Sequence, residues 1–490
     1  MKAKELFRNF SYTIFSNLIS LLISTLAVLI VPKFIGVREY GYWQLYIFYT
    51  LYVGSMHFGW LDGIYLRFGG DTYESLDKRL FFSQFIQLFF LQITIAFLII
   101  VGSFVFKNGS SEEFIIVITA IVMVFVNLQQ FCLYILQDTG RMASYSMVNV
   151  IGRVIYFGLI CLCLLLGIKS FIFYVLADTI GRFFSMVYGL FMCKEIIFKK
   201  ISSFYLTIEE TWINISVGVK LLLANIAGSL IIGIVRYGIK MEWGVNVFGK
   251  ISLTLNISNL MMTFISAISL VLYPTLRRLD QNKLKGFYTK LKQIMSVVLL
   301  AGLFLYYPIG LLLPIWLPKY ASSLVYMGLL FPMCVYQGKF SMLISTFMKT
   351  FRLEKKLLFV NVFSVLCSFA LTFLNVFFIK SLTLTMVSIV VALWIQSTLG
   401  DWLLGKTLHI NATSGSLSET LTVIVFIVSN LYFSVPINIL IYTLTFILFL
   451  YFRKDSVSFI YERQPKNCLN LTIKKSLSCQ IKYNASGLFS

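Results

Sequence analysis

The feature that most constrains this chain is a succession of apolar runs, each about 20 residues long, separated by short polar stretches. A helix rises about 1.5 Å per residue, so such a run covers the ~30 Å hydrocarbon core of a bilayer. The runs predict spans near 11–31, 42–61, 81–106, 114–136, 146–166 and 170–192. After a polar stretch from Lys194 to Thr211, a second set follows near 214–236, 247–273, 293–316, 323–347, 357–379 and 382–404. Leu417–Tyr451 is apolar but interrupted around Ser434, Val435, Pro436, Ile437 and Asn438, which predicts two short helices joined by a turn. The expectation is an all-α polytopic membrane protein with fourteen spans, and twelve at minimum.

Composition agrees. Of the 490 residues 59% are hydrophobic and 12% are charged, whereas a soluble domain needs about 25% charged residues to wet its surface. Lipid must therefore be the solvent for most of the exterior. The net charge of +21 does not point to nucleic acid, because Lys and Arg sit in short clusters between apolar runs, the pattern of topology determinants. Placing the N-terminus in the cytoplasm puts 28 basic residues on that side and 8 on the other. Both termini are then cytoplasmic and the number of spans is even. The basic start (Lys2, Lys4, Arg8) leads into an apolar run too long for a cleavable signal peptide.

Two regularities suggest internal duplication. Residues 1–193 and 214–406 form lobes of equal length with six spans each, joined by a cytoplasmic linker, 194–213. Residues 407–452 would hold helices thirteen and fourteen, and 453–490 a basic cytoplasmic tail. The loop Gly36-Val37-Arg38-Glu39-Tyr40-Gly41 after the first span is echoed by Glu242-Trp243-Gly244 after the seventh. Duplicated halves around a central site are the usual build of transporters.

Catalysis finds no support. The two histidines, His57 and His409, lack a nearby nucleophile, and no hydrolase, Walker or zinc-protease pattern occurs. Cys132, Cys161, Cys163, Cys193, Cys334 and Cys367 lie in apolar runs and Cys468 and Cys479 in the tail, without metal spacing. Neither an enzyme, a metal site nor a cofactor is expected.

Charged residues within spans carry the functional signal, because each is costly in lipid unless it faces a cavity or a partner. These are Arg153, Lys220, Lys250, Lys339 and the pair Asp178–Arg182, one turn apart on one helix face. Asn127, Gln129 and Gln130 add polar groups in span four. Five cations and one acid predict a cationic cavity between the lobes, suited to an anion; phosphate is the anion that lipids carry. Asp178 is the one acid placed well inside a span.

The segment from Val31 to Trp43, with Pro32, Gly36, Glu39, Tyr40 and Gly41, resembles the opening of the polysaccharide flippases. Phe58-Gly59-Trp60-Leu61-Asp62-Gly63 with Arg67, and Tyr273-Pro274-Thr275-Leu276-Arg277, extend that resemblance. These flippases are the Wzx-type O-antigen, capsule and teichoic-acid exporters of the multidrug/oligosaccharidyl-lipid/polysaccharide (MOP) superfamily. The resemblance implies two six-helix bundles in a V-shaped, pseudo-symmetric arrangement with a C-terminal helical hairpin. It implies export of an undecaprenyl-diphosphate-linked oligosaccharide by alternating access in a bacterial cytoplasmic membrane. It further implies proton or sodium coupling, for which Asp178 is the candidate, and a polymerase and glycosyltransferases as partners. A lipid II flippase and a drug or cation exporter of the same superfamily remain alternatives. A polysaccharide polymerase would need a large outer loop, and none is expected.

Overall fold

The computed structural model describes residues 3–105, 109–277, 281–410 and 415–452. The basic tail and Lys107 lie outside them. The described residues are predominantly helical, with no strand among them. Eleven of these helices are long and apolar enough to cross a membrane, and the protein is a multi-pass integral membrane protein. In the first half the helices are α1 (Ala3–Phe34), α2 (Val37–Val53), α3 (Trp60–Phe68), α4 (Lys78–Val105), α5 (Ser110–Asp138), α6 (Met142–Leu165) and α7 (Phe171–Met192). In the second half α8 (Ile208–Arg277) comes first, then α9 (Gln281–Gly302), which short turns extend to Trp316. Next come α10 (Met327–Thr350), α11 (Glu354–Ile379) and α12 (Leu382–Leu408). Last are α13 (Ser416–Tyr432) and α14 (Val435–Phe452). Pro436 falls in the first turn of α14, where its missing N–H costs nothing.

Two departures from a simple succession of spans matter. The helical run Ile208–Arg277 is folded back on itself at Gly244, which has φ 75° and ψ −179°. Arg236 donates to the Ser252 hydroxyl at 3.0 Å. A straight helix would hold residues that far apart in sequence roughly 24 Å from each other. The arms 208–243 and 245–277 are thus antiparallel, matching the expected spans seven and eight. Conversely, expected span two is broken. α2 ends at Gly54, and the chain turns through Phe58 (φ 53°) and Gly59 (φ 88°) before α3.

That break frees backbone carbonyls inside the apolar layer, where each needs a partner. Asn127 donates to the Val53 carbonyl at 3.0 Å and Gln92 to that of Met56 at 2.9 Å. The two amides also bond each other at 3.0 Å. Asn127 of span four is therefore spent on backbone satisfaction. Gln129 instead donates to the Ser185 hydroxyl at 2.7 Å.

The halves meet along a seam of α2 and α3 against α8. A Cβ on Gly41 would sit 2.4 Å from the Val245 carbonyl oxygen, and one on Gly249 would sit 2.6 Å from Gly41 Cα. The first of the two echoed Glu-aromatic-Gly motifs thus packs against the helix arm that follows the second. Toward α3, Gly59 meets Val219 and Gly63 meets Asn214 with backbones equally close. Ion pairs and hydrogen bonds pin the seam along its length. Lys240 pairs with Glu112 at 2.8 Å, and Lys33 lies 3.3 Å over the Trp316 ring. Arg67 bonds Glu210 at 2.8 Å and Asn214 at 2.6 Å.

Candidate functional site

Of the motif residues Pro32, Gly36, Glu39, Tyr40, Gly41, Asp62 and Arg67, Tyr40, Gly41 and Arg67 reach across to the second half, and the others act within the first. Pro32 sits in the last turn of α1, and Gly36 is the extended N-cap of α2. The Glu39 carboxylate accepts from the Phe171 amide at 2.8 Å, capping α7 with a negative charge where its dipole is positive. Tyr40 is fully buried, edge-on to Trp43 and Tyr320. Asp62, also buried, faces His57 Nε2 at 3.7 Å and Tyr134 at 3.5 Å.

The charged residues fall into two groups. In the first half, Asp178 is buried in α7 and its Oδ2 accepts from Tyr46 of α2 at 2.7 Å and from Arg182 at 2.6 Å. Arg153, on α6 and half-buried, is in electrostatic reach of the same carboxylate, as is Tyr156. Tyr40 is in electrostatic reach of Tyr156 and, across the seam, of Arg236. This polar tract holds Arg153, Arg182 and Arg236 against the single carboxylate of Asp178.

Arg236 was expected in a loop, because the charge pattern assigns it to the side opposite the termini. It is instead 8% exposed, its guanidinium 5.1 Å from the Phe48 ring centre and 5.3 Å from that of Phe248.

The second group corrects the reading of Lys339 as a free cavity cation. Its ammonium lies 3.1 Å from Asp401 Oδ2 and 3.3 Å from Glu419 Oε1. Lys292 pairs with the same Asp401 oxygen at 2.7 Å. Tyr288 donates to Asp401, and Ser296 to Glu419 at 2.7 Å. Lys339, Lys292, Asp401 and Glu419 are all at most 4% exposed. They come from α9, α10, α12 and α13, so the cluster ties α13 into the second half. Lys339 opens a π-helical stretch, Lys339–Ser345, a local widening that often accompanies a functional or strained position.

Asp178 is therefore not the one acid inside the helices: Asp401 and Glu419 join it. Asp401 lies within the expected span 382–404, and Glu419 within the apolar stretch that follows. Lys292 falls at the edge of a span, where charge counting reads it as a loop residue.

The remaining cations stand apart from both groups. Lys250 is half-buried and donates to Ser322 at 3.1 Å, while Lys220 is exposed on the first arm of α8. Among the described residues no group of three or more His, Cys, Asp and Glu could hold a metal ion.

Comparison with family models and with curated proteins by sequence gives no match. Comparison with solved structures does. An inward-facing multidrug-resistance MATE transporter of the MOP superfamily aligns with TM-score 0.61 and 16% identity, over 80% of this chain and 97% of that one. The lipid II flippase MurJ, in an inward closed conformation, aligns with TM-score 0.63 and 15% identity, over 92% and 100%. A MOP superfamily transporter from Pyrococcus furiosus, described as having a binding pocket of reverse polarity, aligns with TM-score 0.50 and 13% identity. The fold is that of the MOP superfamily transporters. α2 and the second arm of α8 face each other along the seam, so the polar tract from Asp178 to Arg236 lies where the two halves adjoin.

Proposed function

We propose that this protein is a flippase of the polysaccharide branch of the MOP superfamily. It moves an undecaprenyl-diphosphate-linked oligosaccharide from the inner to the outer leaflet of a bacterial cytoplasmic membrane by alternating access. The observation that carries this reading is the excess of arginine over carboxylate where the halves adjoin: Arg153, Arg182 and Arg236 against Asp178. Guanidinium groups bind phosphate oxygens in paired, charge-assisted hydrogen bonds, and a diphosphate presents several. A drug or cation exporter needs the reverse balance. The motif of α2 and its seam supports the polysaccharide branch, and MurJ, a lipid II flippase by name, covers the greater share of this chain.

The working topology has fourteen crossings, counting both arms of α8, the broken α2–α3 and the pair α13–α14. Residues 1–193 and 214–406 are its two lobes, the linker 194–213 and both termini are cytoplasmic, and Lys220 and Lys250 extend the basic lining. A polymerase and glycosyltransferases act beside it, and a proton or sodium gradient drives it.

The test replaces Arg153 and Arg182 by Gln, singly, in the native host. Surface polysaccharide should fall at least tenfold while the protein stays in the membrane at normal abundance, since each charge-assisted bond contributes about 1.5–3 kcal/mol. Normal polysaccharide in both variants sinks the diphosphate reading. Rescue of a strain depleted of its own lipid II flippase would transfer the substrate to lipid II.

A further inference from the structure

Three of the carboxylates buried among the helices lie against cations: Asp178 against Arg182, Asp401 against Lys292 and Lys339, and Glu419 against Lys339. Asp62, in the first turn of α3, does not. It is 4% exposed, no lysine or arginine is paired with it among the described residues, and its Oδ2 has no hydrogen-bond partner. Arg67, on the same helix, is held by Glu210 and Asn214 instead.

None of the groups facing Asp62 brings a fixed positive charge. Tyr134 of α5 stands 3.5 Å from Oδ1, its ring stacked on that of Tyr65 at 5.1 Å. His57, in the turn between α2 and α3, puts Nε2 3.7 Å from Oδ2. Its Nδ1 accepts from the Gly59 amide at 3.2 Å, so the neutral ring carries its proton on Nε2, toward Asp62. The arm of α8 beside α3 brings Asn214 and α4 brings Gln84, both uncharged and bonded to each other at 3.3 Å. One turn along α5 from Tyr134, Asp138 is buried as well, with neither carboxylate oxygen bonded.

We infer that Asp62 is a proton-binding site, protonated while α3 lies against α8 and ionised when the two part. Burying a charge without a partner is costly, and a proton removes that cost where no cation does. The link to the seam runs through His57. Gly59, whose amide His57 holds, takes φ 88° in the turn, and a Cβ on it would sit 2.6 Å from the Val219 amide nitrogen. A Cβ on Gly63, next to Asp62, would come 1.9 Å from the Asn214 carbonyl oxygen. At 3.7 Å the imidazole is too far from the carboxyl to bond it. A carboxylate would draw Nε2–H into hydrogen-bond range, shift Gly59 with the ring, and loosen the packing of the turn on α8. Proton release and parting of the halves thus favour each other. A role for this proton in export rests on the flippase reading above; the site itself does not. Asp178, already paired with Arg182, is then not the residue that exchanges protons.

The experiment uses the full-length protein in nanodiscs, without substrate. Infrared difference spectra from pH 5 to 9 follow protonated carboxyl groups. Hydrogen–deuterium exchange, corrected for its intrinsic rate, follows residues 60–68 and 208–219. The expected result is a titrating carboxyl band that Asp62→Asn abolishes and that Asp178→Asn and Asp138→Asn retain. Exchange in both segments should quicken across that titration by up to about tenfold per pH unit, the limit for one proton released. Asp62→Asn, which mimics the protonated group, should stay protected at every pH.

Should that variant fail to accumulate, His57→Gln decides: it should keep the band and lose the pH dependence of exchange. A seam that still follows pH in His57→Gln would overturn the inference, as would a wild-type protein without a titrating band. So would a band that survives Asp62→Asn, or opening that responds to sodium at constant pH and not to protons. All of these outcomes are read without substrate, so normal polysaccharide in the Arg153 and Arg182 variants would sink the diphosphate reading and leave the proton site standing.

Discussion

Asp178 and Asp401 invite comparison. Each is a buried helical aspartate that accepts from a tyrosine hydroxyl and pairs with a cation, Asp178 with Tyr46 and Arg182, Asp401 with Tyr288 and Lys292. Their surroundings differ in balance and in exposure. Around Asp401 two lysines meet two carboxylates, and all four are shut away. Around Asp178 the cations outnumber the acid, and the Arg182 side chain keeps 26% of its surface exposed. A balanced, sealed cluster has no charge left to offer a ligand and serves to hold helices in register. An unbalanced cluster with an open side retains positive charge, as a site for an anion must. Lys339 and Arg153 look alike as intramembrane cations in the sequence, and only the partners separate them.

The sharpest way to break this contrast is Asp401→Asn. It leaves Lys292 and Lys339 sharing one carboxylate in a dry interior, and breaking a buried pair this way costs about 3–5 kcal/mol. Unfolding of the detergent-solubilised protein should show a loss of that order. The double variant Lys339→Met with Glu419→Gln, which removes one cation and one acid together, should lose less than the sum of its single changes. Additive losses would mean that the four groups do not act as a unit.

The matching change in the first half, Asp178→Asn, should cost less, because the Arg182 side chain is 26% exposed and Tyr46 can still donate to the amide oxygen. Unfolding measured beside that of Asp401→Asn decides the matter: equal losses would erase the distinction between a structural and a ligand-facing cluster.

This difference also marks how far the sequence could be read. Apolar run length located the helices well, because a bilayer imposes one length on every crossing. The break between α2 and α3 was invisible, since Gly54 to Gly59 reads as apolar enough to continue a span. Its signature lay elsewhere, in Asn127 and Gln92, whose amides cap the freed carbonyls. The Asp178–Arg182 pair was legible from its spacing on one helix. The Asp401 cluster was not, because its four members lie on four helices and one of them, Lys292, falls at the edge of an expected span, where charge counting reads it as a loop residue. Arg236 was missed for the same reason: a cation near a predicted loop looks solvated until the partner helix is known to cover it.

The smallest effect belongs outside the membrane. Lys78, at the start of α4, pairs with Glu195 in the linker, and that hydrogen bond holds the Glu195 carboxyl below its usual range. A carboxyl depressed in the folded state adds stability above its unfolded pKa, and the contribution is lost as pH falls through the folded value. Both groups are open to solvent, so Glu195→Gln should change the unfolding midpoint barely, and only above the carboxylate range. Added salt should shrink even that difference, because exposed pairs are screened. Midpoints of the two proteins taken from pH 3 to 8 check the sign. A gap that widened on acidification would mean that Glu195 is buried in the working protein, and that the linker packs against α4 as tightly as the sealed cluster packs around Asp401.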